Sequence, residues 1–403
     1  MSQQIRQIEQ CVTAPQGFRA GAIACGIKAN SSIQDLALLA SDVPCTTVGT
    51  FTTSKTRAAP VLLCRERLRN GQAQAVLVNS GNANCATGTQ GMENAYRMTQ
   101  VAAAHLNIDS TLMLCSSTGI IGRQLPIEKI EAAIPHITLD RNGGNTFSEA
   151  ILTTDTRPKR MTLEFQIEDR IVRLGGVAKG AGMIYPNMAT MLCYITTDAA
   201  LDHAWIQNEL RASVADTFNM IAVDGDMSTN DTCLLFANGL AGNRPINAQH
   251  PQAALFREAL HMLTTYLARE VARDGEGATR LMTVHVRGAK NKADAIQAAR
   301  AITTSRIWQC ALAGGDPMWG RIVAALGACE CELQANTFEI YLGDVQVAQH
   351  GLATPYSQEK AQTAMTSTEV AIIIDLHIGD GQATAWGCDL THGYIDENTL
   401  YRH

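Results

Sequence analysis

The stretch KGAGMIYPNMATMLCYITTDAA, Lys179–Ala200, decides how the rest of the chain is read. Thr190 follows Asn187-Met188-Ala189 and opens the apolar run Met191-Leu192-Cys193-Tyr194-Ile195, which reads as a buried strand. A hydroxyl at that position has two readings. Threonine is a common β-branched residue at strand starts. It is also a nucleophile, though a poor one until a base removes its proton; placed at a chain start, its own α-amine is that base. A free α-amine titrates near about 7.7–8.0 and is partly neutral at cellular pH, whereas a lysine ε-amine near about 10.4 is not. The second reading requires a cut between Ala189 and Thr190. The hydroxyl makes that cut itself by attacking the Ala189 carbonyl, provided the turn is held strained and N–H donors stabilise the oxyanion that develops.

Composition narrows the field. With 403 residues, 46% hydrophobic and 17% charged, the chain buries a large core and is long enough for two or three lobes. The net charge of −6 is spread without acidic or basic blocks, which excludes the electrostatic footprint of a nucleic-acid or membrane-surface binder and favours small-molecule partners. The opening MSQQIRQIEQ has no apolar leader, and the runs Val76–Val78 and Val370–Ile374 are far too short to span a bilayer, so a cytoplasmic location is expected. The twelve cysteines are scattered singly apart from Cys329 and Cys331, with no zinc-spaced CxxC pair, and are expected to be small buried hydrophobes, neither metal ligands nor disulfides.

Mixed α and β structure is expected along the chain. The strands Ala75–Val78 and Leu112–Cys115 each run into small polar residues, Asn79-Ser80-Gly81-Asn82 and Ser116-Ser117-Thr118-Gly119, read as turns where backbone N–H groups become available to ligands. Phe256, Leu260, Leu263, Leu267 and Val271 recur at helical spacing, and a further amphipathic helix fits Ala293–Ala313. Met282–Arg287 alternates as a half-buried strand, Phe338–Leu342 and Val345–Val347 flank Gly343-Asp344 as a hairpin, and Glu369–His377 is another strand. This mixed order favours an α+β fold of stacked β-sheets flanked by helices over a doubly wound parallel sheet.

Two familiar motifs fail on inspection. The glycines of Gly175–Gly180 lack the Gly-Lys-Ser/Thr order of a phosphate loop. Asp224–Asn230 begins like a calcium loop, yet Thr229 stands where the loop needs glycine and Leu235 where it needs glutamate, so it is read as a polar turn packing near a site.

The second reading of Thr190 gains its support from blocks spread through the chain: GTFTTSKTRAAPV (Gly49–Val61), VNSGNANCATG (Val78–Gly88), STGIIG (Ser117–Gly122), ILTTDT (Ile151–Thr156), GGVAKGAGMIYPNMATML (Gly175–Leu192), VDGDMSTNDT (Val223–Thr232), DPMWGRI (Asp316–Ile322) and AWGCDLT (Ala385–Thr391). In these blocks the chain resembles the ornithine acetyltransferase family, the self-cleaving glutamate N-acetyltransferases of arginine biosynthesis. The resemblance implies an N-terminal-nucleophile acyltransferase split between Ala189 and Thr190 into an α chain, 1–189, carrying the oxyanion hole, and a β chain, 190–403, with a C-terminal lobe that closes on substrate. It implies that Thr190 is nucleophile, that Thr118 and Gly119 form the oxyanion hole, and that Thr153, Lys179, Thr190, Glu276, Asn398 and the tail at His403 contact substrate. It further implies α and β fragments that stay together, in an α2β2 heterotetramer, with no metal and no bound cofactor. Acetyl passes from N-acetylornithine to Thr190 and then to glutamate, with acetyl-CoA as an alternative donor in some members. Lys179 suits a carboxylate or a developing negative charge, and Glu276 suits an ammonium such as ornithine's.

The chain also departs from the family pattern. Gln309 stands where relatives have a lysine, Met318 replaces an asparagine, and the terminal hydroxyl residue becomes His403. These changes raise the expectation of an altered acceptor pocket and of a paralogue moving acyl groups between other amines. An N-terminal-nucleophile amidase or aminopeptidase, which gives the acyl group to water, and an uncleaved binding protein are the remaining readings.

Overall fold

The computed structural model describes residues 4–30, 32–185 and 191–400. Among the described residues, two mixed β-sheets of nine and seven strands are joined by a shared apolar core. The helix Ala253–Arg273 packs on strands of both sheets, on Lys159–Ile167 and Arg170–Lys179 of the first and on Leu281–Ala289 and Gly381–Cys388 of the second. Its stripe of Phe256, Leu260, Leu263, Leu267 and Val271 is fully buried, as the periodicity requires. At about 1.5–3 kcal/mol for each large side chain removed from water, this stripe is a main tie between the layers. Gly176 lets the helix seat closely, because a Cβ there would lie 2.7 Å from the Leu263 side chain.

The first sheet runs in the order Ile5–Ile8, Lys159–Ile167, Arg170–Lys179, Leu192–Thr197, Thr232–Ala237, Leu36–Phe51, Gln72–Asn82, Met113–Ile120, with Phe18–Ile23 branching off Leu36–Phe51. Leu192–Thr197 is buried along its whole length, so the apolar run after residue 190 is a central strand. It lies antiparallel to Arg170–Lys179, with Leu192 opposite Lys179, and parallel to Thr232–Ala237, with Leu192 opposite Thr232. Register therefore brings Lys179, Leu192 and Thr232 level at one end of three adjacent strands.

Two sequence expectations need correction. The small polar residues 79–82 and 116–119 are not turns: the strands Gln72–Asn82 and Met113–Ile120 continue through them as a parallel pair, with Asn79 opposite Ser117 and Ser80 opposite Thr118, until the register breaks at Gly81 and Asn82. Side-chain hydrogen bonds sustain the pairing, Ser117 Oγ donating to Asn79 Oδ1 at 2.6 Å and Ser80 Oγ to the Ala150 carbonyl at 2.6 Å. The single helix expected over 293–313 is two, Lys292–Thr303 and Arg306–Gly314. Thr303 and Thr304 turn their hydroxyls back onto the Arg300 carbonyl, ending the first helix before Ser305. The hairpin Glu339–Leu342 with Val345–Gln349 and the strand Glu369–Asp375 form as expected. Most of the cysteines are buried free thiols. No described helix is long and apolar enough to cross a membrane.

Candidate active site

Gly119, near the end of the strand Met113–Ile120, has φ of +128°, and a Cβ on it would lie 2.3 Å from the Gly81 carbonyl carbon and 2.6 Å from the Asn82 nitrogen. Only glycine meets both demands, so two backbones approach within contact where Thr118 and Gly119 present themselves. Asn230 fixes this end of the strand from outside. Its amide donates to the Ser117 carbonyl at 2.8 Å and to the Ala83 carbonyl at 2.7 Å, and its own oxygen accepts from Thr229 Oγ1.

Lys179 reaches the same place from the end of its strand. Its Nζ donates to Thr153 Oγ1 at 2.6 Å and to Thr118 Oγ1 at 3.3 Å, and it lies 3.4 Å from Asp155 Oδ2. Burial pulls the Lys179 ammonium below its ordinary pKa against the pull of Asp155, and the second charge of Lys159 adds to the lowering. Burial alone would raise Asp155, but Lys179 and Lys159 together hold its carboxyl well below the usual carboxylate range. Asp155 also accepts the N–H groups of Gly180 at 2.6 Å and Thr153 at 3.1 Å. Behind it, fully buried Lys159 bridges Asp155 and Asp274, the latter at 2.5 Å. The result is a buried chain of alternating charge, Asp274–Lys159–Asp155–Lys179, with the last ammonium at the cavity.

The loop after the helix Ala253–Arg273 supplies Glu276, whose N–H donates to the Ala181 carbonyl. The helix His392–Leu400 closes over it: Asn398 Nδ2 donates to Glu276 Oε2 at 2.8 Å, and Thr391 Oγ1 donates to the Gly277 carbonyl at 2.6 Å. Asp389, just before this helix, accepts the N–H groups of Thr279 and Arg280.

Thr118, Gly119, Thr153, Lys179, Glu276 and Asn398, the first and last of which are 280 positions apart in the sequence, line a single cavity of about 180 Å³. Ala189, Thr190 and His403 lie outside the described residues. Met191, the residue after Thr190, borders an adjoining space with Thr118, Lys179 and Asp231. Ser228, Thr229, Asn230 and Glu397 also line the main cavity, and no motif in the sequence marks them individually as site residues. The loop 224–230 packs as a polar turn beside the site, as the sequence leads one to expect: Asp224 ties it to the Met183 and Ile184 N–H groups. Gln309 and Met318 do not line the cavity, contrary to the expectation that they alter the acceptor pocket. Gln309 is buried and donates to the Val223 carbonyl at 2.8 Å, whereas Met318 is exposed beside Trp319 and Tyr356.

The cavity is lined by the hydroxyls of Thr118 and Thr153, the ammonium of Lys179 and the carboxylate of Glu276. That suits acyl transfer to or from a molecule carrying an ammonium group.

The family model described as the ArgJ family matches residues 19–403. The arginine biosynthesis bifunctional protein ArgJ of Symbiobacterium thermophilum is 46% identical over 394 residues, 97% of this chain and 98% of that protein. The protein of the same name from Bacillus subtilis is 42% identical over 99% of this chain and 98% of its own length. Among solved structures, a chain of arginine biosynthesis bifunctional protein ArgJ from Bacillus halodurans is 42% identical with a TM-score of 0.51, matching over 98% of itself and 52% of this chain.

Proposed function

From the premise that this chain belongs to the ArgJ family, the ornithine acetyltransferases of arginine biosynthesis, we propose that it splits itself between Ala189 and Thr190 and uses Thr190 as acetyl carrier. The enzyme moves acetyl from N-acetylornithine to glutamate, a reaction between small molecules. One observation carries the assignment of residues: Thr118, Gly119, Thr153, Lys179, Glu276 and Asn398 meet in one cavity, and Met191 borders the space adjoining it.

In the proposed sequence the Thr190 hydroxyl attacks the acetyl carbonyl, its α-amine takes the proton, and ornithine leaves with that proton. Thr118 and the Gly119 N–H face the oxyanion. Glu276, steadied by Asn398, receives the side-chain ammonium of ornithine, and Lys179 serves the substrate carboxylate or the developing charge. Glutamate's amine then attacks the acetyl ester. Proton transfer and charge stabilisation come from protein groups, so neither metal nor bound coenzyme enters the scheme, and acetyl-CoA is an alternative donor.

The half-length match of the Bacillus halodurans chain supports a cut near the middle, since 190–403 is 214 of the 403 residues. A cut there would not release the halves. Arg170–Lys179 and Leu192–Thr197 pair within one sheet, and Thr232–Ala237 pairs with Leu36–Phe51. Two such pairs form the proposed α2β2 assembly.

Intact mass spectrometry tests the reading. Purified protein should give fragments 1–189 and 190–403, Thr190→Ala should give one 43.3 kDa chain, and N-acetylornithine without acceptor should add one acetyl group to the second fragment, removable by glutamate. Cleavage of the Thr190→Ala chain at that bond, or loss of acetyl to water as fast without an amine as with glutamate, would sink it.

A further inference from the structure

Outside the site described above, the end of the strand Leu36–Phe51 borders a second cavity, of about 430 Å³. Arg57, Arg65 and Arg211 line it together with Thr50 and Thr52, and no carboxylate side chain is among the described residues of its wall. The three arginines come from separate segments: Arg57 from the stretch after the strand, Arg65 from the last turn of the helix Ala59–Arg67, and Arg211 from the helix His203–Asp216. That second helix is held to the strand end, where Gln207 Nε2 donates to the Gly49 carbonyl at 3.3 Å, and Arg211 lies four residues on, along the same helix face. Arg57 Nε donates to the Thr52 carbonyl at 3.3 Å, and none of the three arginines forms an ion pair among the described residues. Elsewhere the chain pairs its exposed arginines with carboxylates, Arg97 with Glu131, Arg244 with Glu168 and Arg257 with Glu209. Thr50 is buried at the cavity wall, and its hydroxyl has no hydrogen-bond partner among the described residues, a cost that native structures rarely leave uncompensated. In a chain of net charge −6, three guanidiniums without counter-charges around one hollow make a local positive field that concentrates anions.

We propose that this cavity is a binding site for the diphosphate group of a small molecule. Guanidinium forks match phosphate oxygens two by two, and a diphosphate, with several negative charges over many acceptor oxygens, answers three of them where a single carboxylate would not. The site gives a role to the block Gly49–Val61, which the acetyl-transfer scheme leaves unused. It also adjoins that scheme's cavity through hydrogen bonds. Thr52 Oγ1 donates to the Ser228 carbonyl at 2.7 Å, and the Ala58 N–H donates to the Thr229 carbonyl at 3.0 Å, so the segment carrying Arg57 is fixed to two residues that line the first cavity. Two sources share this chemistry: the diphosphate of coenzyme A, an acyl carrier, and that of a free nucleoside diphosphate. Binding is read without turnover, so the inference stands or falls independently of the acetyl-transfer reading.

Isothermal titration calorimetry of the purified protein with sodium pyrophosphate tests this. The wild type should bind saturably, one ligand per chain, and more weakly as salt rises from about 50 to 200 mM. Arg65→Ala and Arg211→Ala should each weaken binding by about 10-fold or more, the usual loss for a charge-assisted hydrogen bond, and Arg211→Lys, which keeps the charge without the fork, should recover part of it. Both arginines are exposed, so the variants should melt with the wild type. Arg170→Ala, at an exposed arginine that does not line the cavity, should leave binding unchanged. Coenzyme A binding about 10-fold or more tighter than ADP would name the acyl carrier as the source, and equal affinities a nucleoside diphosphate; either supports the site. No saturable pyrophosphate binding to the wild type, binding that Arg65→Ala and Arg211→Ala leave intact, or an equal loss in Arg170→Ala overturns it.

Discussion

Replacing Asp155 with Asn tests the charge chain behind the cavity. The carboxylate is fully buried, contacts both Lys159 and Lys179, and accepts two backbone N–H groups. Asn preserves the shape and one acceptor while removing the charge. Lys159 retains Asp274, but Lys179 is left with the hydroxyls of Thr153 and Thr118 and the more distant charge of Glu276. Breaking a buried pair by removing one partner costs about 3–5 kcal/mol, because the other charge stays desolvated. At about 2–4 °C per kcal/mol, the melting temperature should fall on the order of 10 °C at pH 7. The pH dependence follows from the signs. In the wild type the depressed Asp155 contributes stability at all pH above its unfolded value and loses it only in strong acid. Lys179, with its folded pKa already lowered, costs stability while charged, and in the variant it is lowered further. That cost fades as pH rises through its folded pKa toward the unfolded value near about 10.4, so the deficit should be largest near neutrality and shrink by pH 9.5. Circular dichroism melts of wild type and Asp155→Asn from pH 6 to 9.5 measure it. A wild-type melting temperature at pH 7, or a deficit constant over that range, would refute the reasoning.

Gly119→Ala places a Cβ against the Gly81 backbone at positive φ, so kcat should fall by about 100-fold or more through a displaced oxyanion donor; unchanged kcat would remove Gly119 from that role. Glu276→Gln keeps the contact with Asn398 but not the charge, and the KM for N-acetylornithine should rise by roughly 10-fold or more while kcat changes little; an equal fall in kcat with KM constant would place Glu276 in the chemistry instead. For His403→Ser, the pH dependence of the glutamate KM between about 5.5 and 7.5 should flatten, since imidazole titrates near about 6.5. Superimposable profiles would free the tail from substrate contact.

The sequence alone identified the family, the mixed α+β architecture and six of the residues that line the cavity, through an ordered set of motifs, a helical stripe ending at Val271 and an apolar strand after residue 190. The family motifs, beyond residue type, mark Lys179 as a cation for an oxyanion or carboxylate and Glu276 as a carboxylate for an ammonium. Tertiary structure alone decided what those groups answer to. Asp155, Lys159 and Asp274 are ordinary charges in the sequence, and only the fold buries them in contact, where low dielectric turns them into one coupled network. The small residues 79–82 and 116–119 carry turn chemistry locally, yet parallel pairing and side-chain hydrogen bonds from distant segments hold them as strands. Gln309 reads as a lost cation in the sequence, whereas the fold turns its side chain to a backbone carbonyl away from the cavity. Asp231 is one carboxylate among the 38 acidic residues until strand register sets it against Met191. Pairing over forty residues of chain is a property of the assembled sheet, which no local pattern encodes.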